Sequence, residues 1–499
     1  MKQLITSTIL LLALLLPALT YAHDFEVNGI YYNRININEV EVTFGRDRYL
    51  YYRYSGTVTI PATVTYDGTT YSVTKIGENA FSRSTGLTSV DIPNSVTEIG
   101  HHAFYGCTGL TSIDIPNSVT EIGVWAFVYN TGLTSIDIPN SVTAIGDYAF
   151  YYCSGLTSIV IPNSVKEVGV CAFMDCPGLT SIVVESGNPR YDSRDNCNAI
   201  IETANNVLIA GCKNTIIPNS VTAIGDDAFR GWTGLTSIDI PNSVTAIGAQ
   251  AFEDCSGLTS IDIPNSVTAI GDYAFIWCTG LTSIVVESGN PRYDSRNNCN
   301  AIIETASNAL IAGCKNTIIP NSVTAIGDGA FQDCDGLTSI VIPNSVTAIG
   351  AGAFEECSGL TSIVIPHSVT EIGDMAFAYC TGLTDVYCYI ADPSRVSSGY
   401  EQFENGGYSG RTLHVQQGMA DAYRTNRNWY PYFEQIVEDL FRGDVNGDHE
   451  VNIADVNVAI NMILVGNGST PADDVNGDGE INIADINTVI DIILSSNMD

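Results

Sequence analysis

The chain has 499 residues and a formal net charge of −35 at pH 7, with 55 acidic and 20 basic side chains. An acidic excess of this size repels phosphate groups, which argues against binding to nucleic acid or to an anionic membrane surface. The same charge favours solubility and the binding of cations.

Residues 1–22 have the pattern of a secretory signal peptide, in which a positive charge and an apolar run precede small residues at the cleavage point. Lys2 supplies the charge, the apolar run reaches Ala18, and cleavage is expected after Ala22. The run is too short for a membrane span, and no later stretch is apolar for long enough to cross a bilayer. We therefore expect a secreted or cell-surface protein with no membrane span.

Residues 23–75 alternate apolar and polar side chains between turn signals, as in VNGIYYNRI and GTVTIPATVTYDGTTYSVTKIG. Such alternation is typical of half-buried strands. The segment precedes a long array of repeats, and the first repeat of an array needs a cap to remain soluble. We predict a β-rich N-terminal cap here.

Residues 76–390 are built on one motif, which reads GLTSIDIPNSVTAIGDYAF at residues 132–150. Its leucine recurs every 23 residues, except at two intervals of 56 residues. The eleven leucines are Leu87, Leu110, Leu133, Leu156, Leu179, Leu235, Leu258, Leu281, Leu337, Leu360 and Leu383. A fixed period of this length predicts a solenoid, in which each repeat forms one coil.

One coil is predicted from the alternation of its side chains. In Leu-x-x-Ile-x-Ile, Ile136 and Ile138 face inward on a strand, while Ser135 and Asp137 face outward. Pro-Asn-Ser then turns the chain, and Val-Thr-x-Ile-Gly forms a second short extended piece. We expect the segment through Phe150 to form a single helical turn.

The pattern Leu-x-x-Ile-x-Ile-Pro-x-x-Val-x-x-Ile-Gly-x-x-Ala-Phe-x-x-Cys resembles the bacterial BspA-like (Treponema-type) leucine-rich repeat. The resemblance implies an α/β-type repeat solenoid with a parallel sheet. It also implies a cell-surface or secreted binding protein or adhesin without catalysis.

Two insertions interrupt the array, near residues 188–217 and 290–319, and their sequences are nearly identical. AIIET and VLIAG, separated by three residues, predict a hairpin that bulges from the solenoid. Cys197 and Cys212 flank the first hairpin, as Cys299 and Cys314 flank the second. Among the fourteen cysteines of an exported protein, these two pairs are the best candidates for disulfides.

Eight other cysteines all lie three residues after the phenylalanine of a repeat. They are Cys107, Cys153, Cys176, Cys255, Cys278, Cys334, Cys357 and Cys380. Asn130 and Trp232 replace cysteine at this position in two copies, so pairing is not required there. We interpret the set as a ladder of buried free thiols.

Residues 391–440 depart from the repeat and resemble the terminal cap that is common in this repeat family.

DVNGDHEVNIAD (444–455) and DVNGDGEINIAD (474–485) then repeat 30 residues apart, each followed by an apolar run with helical spacing. Both loops place oxygen ligands at positions 1, 3 and 5 and a carboxylate at position 12, which is EF-hand-type calcium ligation. Residues 444–499 hold eleven carboxylate side chains and no Lys or Arg, so without cations the loops would repel each other.

This pair of loops resembles a type I dockerin and places an α-helical, EF-hand-like module at residues 441–499. The resemblance implies two calcium sites and a cohesin-like partner. By position the ligands are Asp444, Asn446, Asp448, Glu450 (through its carbonyl), Asn452 and Asp455, then Asp474, Asn476, Asp478, Glu480 (carbonyl), Asn482 and Asp485. The partner-binding positions would be Ile453, Ala454, Ile483 and Ala484. His449 stands where the second loop has Gly479, a position that favours positive φ, so the first site is expected to be weaker.

Two sets of side chains are candidates for a ligand-binding face on the solenoid. Asp91, Asp114 and Asp137 occupy one outward position in consecutive coils, about 5 Å apart if the coils stack. They form either a cation- or ligand-binding strip or an ordinary solvated sheet surface, and the second reading is favoured. A second set is aromatic, and it either recognises a protein or glycan or packs into the coil edges. Its members are Tyr105, Trp125, Tyr129, Tyr148, Tyr151 and Tyr152.

No nucleophile and base, phosphate loop or zinc motif is recognisable, and the adjacent His101 and His102 would point to opposite sides of a strand. We therefore expect a secreted, non-catalytic recognition or adhesion protein, not an enzyme. Two alternatives remain open: a non-catalytic subunit of an extracellular polysaccharide-degrading assembly, and a structural surface component.

Overall fold

The computed structural model describes residues 23–45, 54–404, 410–440, 451, 453–465, 475 and 482–496. The predicted signal peptide lies outside them. The chain divides into two compact units, one ending at Ser193 and one beginning at Arg194. Both consist mainly of short parallel strands stacked coil upon coil, which confirms the predicted repeat solenoid.

The unit that ends at Ser193 contains fourteen strands. They are β1 (Phe25–Val27), β2 (Ile30–Arg34), β3 (Glu39–Thr43), β4 (Ser55–Thr59), β5 (Thr63–Tyr66), β6 (Thr69–Ile76), β7 (Gly86–Asp91), β8 (Glu98–Ile99), β9 (Glu121–Ile122), β10 (Ala144–Ile145), β11 (Ser158–Ile161), β12 (Glu167–Val168), β13 (Ser181–Val184) and β14 (Tyr191–Asp192).

The β-rich N-terminal segment leads directly into the coils. β1, β2 and β3 are antiparallel, and β5 is antiparallel to β6. β3 then pairs in parallel with β6, and β6 pairs in parallel with β8 of the first coils. The ladder continues through β9, β10 and β12, so the strands of the first segment supply backbone partners for the end of the array.

The unit that begins at Arg194 contains the remaining strands and the helices. Its strands are β15 (Ile200–Glu202), β16 (Val207–Ala210), β17 (Ala223–Ile224), β18 (Ala246–Ile247), β19 (Ser260–Ile263), β20 (Ala269–Ile270), β21 (Ser283–Val286), β22 (Tyr293–Asp294), β23 (Ile302–Glu304), β24 (Ala309–Ala312), β25 (Ala325–Ile326), β26 (Ala348–Ile349), β27 (Ser362–Ile365), β28 (Glu371–Ile372), β29 (Asp385–Cys388), β30 (Ser397–Ser398), β31 (Thr412–Gln416) and β32 (Gln435–Leu440). Its α-helices are α1 (Ala420–Thr425), α2 (Ile453–Val465) and α3 (Ile483–Ser496). Short 3-10 turns occur at Arg194–Asn196, Arg296–Asn298, Pro393–Arg395 and Tyr430–Tyr432.

The inward and outward positions of the coil are as predicted. Ile136 and Ile138 are buried while Ser135 and Asp137 are exposed. The phenylalanines form a stack along each array, because each coil places its ring on the ring of the previous coil. In the first unit, Phe81, Phe104, Phe127, Phe150 and Phe173 have ring centroids 5.1–5.5 Å apart and nearly parallel planes.

The predicted helical turn is wrong. Residues 146–153 instead form three successive turns, closed by N–H groups of Ala149, Tyr151 and Cys153 that donate to carbonyls three residues earlier. The N–H groups of the intervening residues donate to the next coil, as Tyr148 does to the carbonyl of Val170 at 2.9 Å. The backbone can alternate in this way because Tyr148 and Tyr152 have positive φ. The turn segment is therefore hydrogen-bonded to the next coil, whereas the N–H groups of a helix bond to carbonyls of the same helix.

The hairpins form as predicted, but they do not bulge from the solenoid. β15 is antiparallel to β16, and β23 is antiparallel to β24. The second strand of each hairpin then pairs in parallel with the next coil, through β17 and β25. Each hairpin therefore takes the place of a ladder strand.

The predicted disulfides do not form, since all fourteen cysteines lie in the described residues and all are thiols. The Cys212 thiol instead lies 3.3 Å from the carbonyl of Asn198, and the Cys314 thiol lies 3.5 Å from that of Asn300. The predicted ladder is confirmed. Seven of the eight ladder thiols, all except Cys334, donate to a carbonyl of the preceding coil, as Cys153 does to Phe127 at 3.1 Å.

Candidate functional site

The acidic strip is present as an exposed row on the first unit. Asp114 and Asp137 face each other across a parallel bridge between adjacent coils. Asp91 ends β7, where its carboxylate accepts a hydrogen bond from the Thr59 hydroxyl at 2.8 Å. The row has the periodicity predicted for the strip, and among the described residues no group of three or more metal-binding side chains is found there or elsewhere.

The structure brings the aromatic candidates together into one cluster, which we call the aromatic patch. It comprises Tyr105, Trp125, Tyr129, Tyr148, Tyr151 and Tyr152. The Trp125 ring stacks on Tyr148 with centroids 4.8 Å apart. It also stacks on the ring of His102, with centroids 5.8 Å apart. Tyr129 contacts both Tyr151 and Tyr152 edge-on, at 5.7 and 5.0 Å.

The aromatic patch is partly buried and partly exposed. Tyr152 is 43 % exposed, and the other members are intermediate in exposure. Burial raises the pKa of the Tyr151 hydroxyl, and the neighbouring Asp175 and Tyr129 raise it further. Burial likewise lowers the pKa of His102. The patch therefore offers ring edges and neutral polar groups to a ligand.

The backbone conformation at the aromatic patch was not predicted from the sequence. Trp125, Tyr129, Tyr148 and Tyr152 all have φ between 53° and 61°. This left-handed conformation costs a non-glycine residue about 1–2 kcal/mol and is uncommon for bulky side chains. The same columns contain Gly106, Gly329 and Gly352 in other coils. Those glycines were the signal in the sequence that could have revealed the conformation.

Three of the twelve proposed calcium ligands lie within the described residues: Asp455, Asn482 and Asp485. Asp455 and Asp485 are fully buried carboxylates in the first turns of α2 and α3. The Asp485 carboxylate accepts a hydrogen bond from the backbone N–H of Asn482 at 2.8 Å. The side-chain oxygen of Asn482 in turn accepts from the N–H of Ala484 at 2.7 Å. Val475, the second residue of the second loop, is also buried.

The other proposed ligands lie outside the described residues. These are Asp444, Asn446, Asp448, Glu450, Asn452, Asp474, Asn476, Asp478 and Glu480. The two buried carboxylates fit a hard cation, because a buried anionic group requires a compensating positive charge and residues 444–499 contain no Lys or Arg. Asp455 and Asp485 would hold calcium at position 12 of each loop.

The proposed partner-binding positions lie at the beginning of the two helices. Ile453 and Ile483 are the first residues of α2 and α3, and they are 67 % and 69 % exposed. Ala484 is intermediate in exposure, and the side chain of Ala454 lies outside the described set. Val456, Ala459 and Val489 are buried between the helices. The module therefore has a small core and presents equivalent apolar side chains outward at two places.

The histidines within the described residues do not form a catalytic arrangement. His101 lies in a turn segment, where its Nδ1 accepts the N–H of Val124 at 3.0 Å. No sequence pattern predicted the cluster around His414, whose Nδ1 lies 2.7 Å from Asp439 and whose Nε2 lies 3.1 Å from Asp385. The ring also stacks on Tyr387 at 4.3 Å. Because both ring nitrogens are engaged, the cluster ties β29, β31 and β32 together and does not resemble a nucleophile–base pair.

Asp439 reaches the histidine because of an irregularity in the sheet. The pairing between β31 and β32 shifts after Val415, which opposes Glu438, while Gln416 opposes Leu440. Asp439 is therefore the extra residue of a bulge, and a bulge redirects a side chain. Each of these strands occurs once in the sequence, so no repeat signal predicted the register.

Coiled parallel strands, stacked phenylalanines and a two-helix module with buried loop carboxylates define a leucine-rich-repeat solenoid joined to a dockerin-like module. Comparison of the chain with known protein families agrees with this assignment. The family of BspA type leucine rich repeat regions matches residues 73–197, 209–309 and 307–405. The chain belongs to the BspA-type leucine-rich repeat family. Residues 442–494 match the dockerin type I domain.

Several solved structures resemble the chain. A leucine-rich repeat protein from Bacteroides ovatus is 28 % identical, with 83 % of this chain and 100 % of that chain covered and a TM-score of 0.40. A leucine rich cell surface protein from Faecalibacterium prausnitzii is also 28 % identical, with 85 % and 96 % covered and a TM-score of 0.40. None of the curated proteins matches the chain significantly.

Both matched families are of non-catalytic types, and their members are typically extracellular or surface-associated. Type I dockerins bind calcium and cohesins. Across the described ranges, no helix combines the length and the apolar character needed to cross a bilayer.

Proposed function

We propose that the chain is an extracellular, non-catalytic recognition protein, with the domain boundaries predicted from the sequence. Its solenoid binds a ligand, and its module at residues 441–499 docks to a cohesin-type partner when calcium is bound. The observation that carries the docking proposal is the pair of exposed isoleucines, Ile453 and Ile483, at equivalent positions of a duplicated module. Exposed apolar residues at equivalent positions favour an interaction surface that a partner engages through either copy.

Calcium is expected to couple to the folding of this module. Each loop concentrates carboxylates that repel one another, and the metal would neutralise them and allow Val456, Ala459 and Val489 to pack. Calorimetric titration of the full chain with calcium should give two binding events. Asp485→Ala should abolish one event. Asp491→Ala is the control, because it removes a carboxylate from the same helix but outside the loop. The absence of calcium heat in the unmodified chain would contradict the proposal.

Docking is tested with a panel of purified cohesins. The double variant Ile453→Asp/Ile483→Asp should lose binding, while each single variant should retain it because the other copy remains. The double variant Asn457→Asp/Asn487→Asp is the matched control, since it adds the same two charges at equivalent exposed positions of α2 and α3. Equal binding by the double variant would refute docking through these positions.

The dockerin match also favours a second candidate, a non-catalytic subunit of an extracellular polysaccharide-degrading assembly. A glycan array separates the two, because such a subunit would bind plant or microbial polysaccharides and an adhesin would bind host proteins. The aromatic patch is the surface on which either ligand is expected. A structural surface component would bind neither and would show no cohesin partner.

A further inference from the structure

The regular coils of the second unit are joined by three backbone hydrogen bonds in their turn segments. The N–H groups of Gln250, Phe252 and Asp254 donate to the carbonyls of the next coil at 2.9–3.0 Å. Three coils later, the N–H groups of Gly329, Phe331 and Asp333 donate in the same way, each at 2.8 Å. The donors are alternate residues, as in an extended strand.

The second hairpin interrupts this arrangement because it has no equivalent turn segment. After β24 the chain passes through Gly313, whose N–H donates to the carbonyl of Ala330 and which packs against the ring of Phe331. Stacked rings run from Phe229 to Phe275 and again from Phe331 to Phe403. The layer between Phe275 and Phe331 contains no phenylalanine of the repeat. One coil therefore lacks its turn segment.

The missing segment leaves a cavity of about 380 Å³ between residues 270–276 and residues 327–330. We call it the slot. On one wall, the N–H groups of Tyr273 and Phe275 meet no acceptor among the residues that the structure describes, and the same is true of Trp277 just beyond the wall. On the other wall, the carbonyl of Asp328 has no donor within the same described residues. In the other coils of the second unit, from Asp227 to Tyr379, the corresponding N–H groups are paired with the next coil.

The slot is acidic. Asp272, Glu304 and Asp328 line it, and the one basic lining residue, Arg292, is paired with Glu304 at 3.2 Å. The carboxylate of Asp328 accepts the N–H of Ala351 at 2.7 Å, but Asp272 has no such neighbour because the segment that would supply it is missing. Burial raises the pKa of the Tyr273 hydroxyl, and the charges of Asp328 and Asp272 raise it further.

We propose that the slot binds an extended peptide segment of a partner protein that carries a lysine or arginine side chain. The three donors lie at alternate residues, and the backbone carbonyls of the peptide would pair with them in place of those of the missing turn segment. The unpaired carboxylate of Asp272 then attracts the basic side chain. This inference rests on the proposed recognition role and names a class of partner for it.

The first test is hydrogen exchange of the full chain, followed by mass spectrometry. Without ligand, the amides of residues 273–277 should exchange at least about tenfold faster than those of residues 250–254, which have the same conformation but are bonded to the next coil. Equal protection of the two segments would overturn the proposal, because the donors would then already have acceptors.

The second test adds a peptide probe, acetyl-Thr-Lys-Val-Thr-Lys-Val-amide. The probe should slow exchange in residues 273–277 selectively, and the same peptide with glutamate in place of lysine should not. Asp272→Asn should weaken probe binding about fivefold, as expected for the loss of one charge partner. Asp262→Asn is the matched control, since it removes one exposed carboxylate from β19 and should leave affinity within about twofold.

Three outcomes would overturn the proposal. One is the absence of selective protection at millimolar probe. Another is an equal loss of affinity in the two aspartate variants, which would indicate attraction to the overall charge. The third is protection by cellohexaose but not by the peptide. Calcium and cohesin binding are measured on the same protein, and their failure would leave the slot result standing, just as a closed slot would leave docking intact.

Discussion

Asn130 is the position where one substitution should stabilise the array. It replaces the ladder cysteine, is fully buried, and donates from its amide nitrogen to the carbonyls of Phe104 at 2.8 Å and Phe127 at 2.7 Å. Its amide oxygen is buried, and none of the described residues donates to it. A cysteine would retain the bond to the preceding coil, as the Cys107 and Cys153 thiols do at 3.1 Å.

The expected gain for Asn130→Cys is about 1 kcal/mol. Removing a buried acceptor that lacks a partner recovers about 1–3 kcal/mol, while the loss of one amide hydrogen bond and the weakening of another costs about 0.5–1.5 kcal/mol. The reverse change, Cys153→Asn, inserts the same unsatisfied oxygen into a neighbouring coil. It should destabilise that coil by a similar or larger amount.

Because an array of coils need not unfold in one step, the measurement is the exchange of amides in the coils that flank the substitution. Asn130→Cys should slow exchange through opening of residues 121–153 about fivefold, and Cys153→Asn should accelerate it. Faster exchange in Asn130→Cys, or no effect of Cys153→Asn, would refute the account of the ladder.

Three further predictions follow from buried or crowded groups. Burial raises the pKa of the Cys107 thiol to about 12, so the ladder thiols of the native protein should resist alkylation at pH 8, whereas unfolding without reductant should expose all fourteen cysteines. Burial, together with Asp335, Glu356 and Asp254, raises the pKa of Asp333 to about 6. Its ionisation therefore lowers the stability of the folded protein as pH rises from about 4 to about 6. Asp333→Asn should raise stability at pH 7 by about 1–2 kcal/mol, a figure reduced for solvent screening. It should also flatten the pH dependence of stability measured by urea titration. The buried guanidinium of Arg411 donates to the carbonyls of Cys380, Leu383 and Phe403. Arg411→Leu should therefore destabilise the last coil by about 2–4 kcal/mol, as measured by amide exchange of residues 370–390. Unchanged exchange there would contradict a capping role for Arg411.

The sequence was sufficient for the inward face of the coil because eleven copies repeat the same alternation. Ile136 and Ile138 could be placed inside, and the cysteine ladder could be recognised, without any knowledge of a neighbouring coil. The turn segment could not be predicted in this way. Ile145, Ala149 and Phe150 have a spacing that also suits a helix, and the competing bonds, such as that from Tyr148 to Val170, join residues of different coils.

The hairpins and the C-terminal sheet show the same limit. Local alternation was enough to predict the strands β15 and β16, but it did not show that β16 would join the ladder of β17. The cluster of His414, Asp385 and Asp439 depends on the pairing of the repeat strand β29 with β31 and of β31 with β32, and the last two strands occur once each. The disulfide prediction was wrong because flanking a hairpin does not bring two thiols to bonding distance.

The aromatic patch is best understood from what the fold does not require of it. The turn segments are held by backbone donors and by inward side chains, so the outward residues of the left-handed columns are free to vary. One such column has Trp125 and Tyr148 in the first unit, and Tyr273, Gly329, Gly352 and Met375 in the second. Glycine adopts that conformation without strain, whereas each aromatic residue costs about 1–2 kcal/mol there. Aromatic side chains in four such positions within two successive coils are therefore not explained by the stability of the coil, and this is the physical reason for expecting a ligand on that surface.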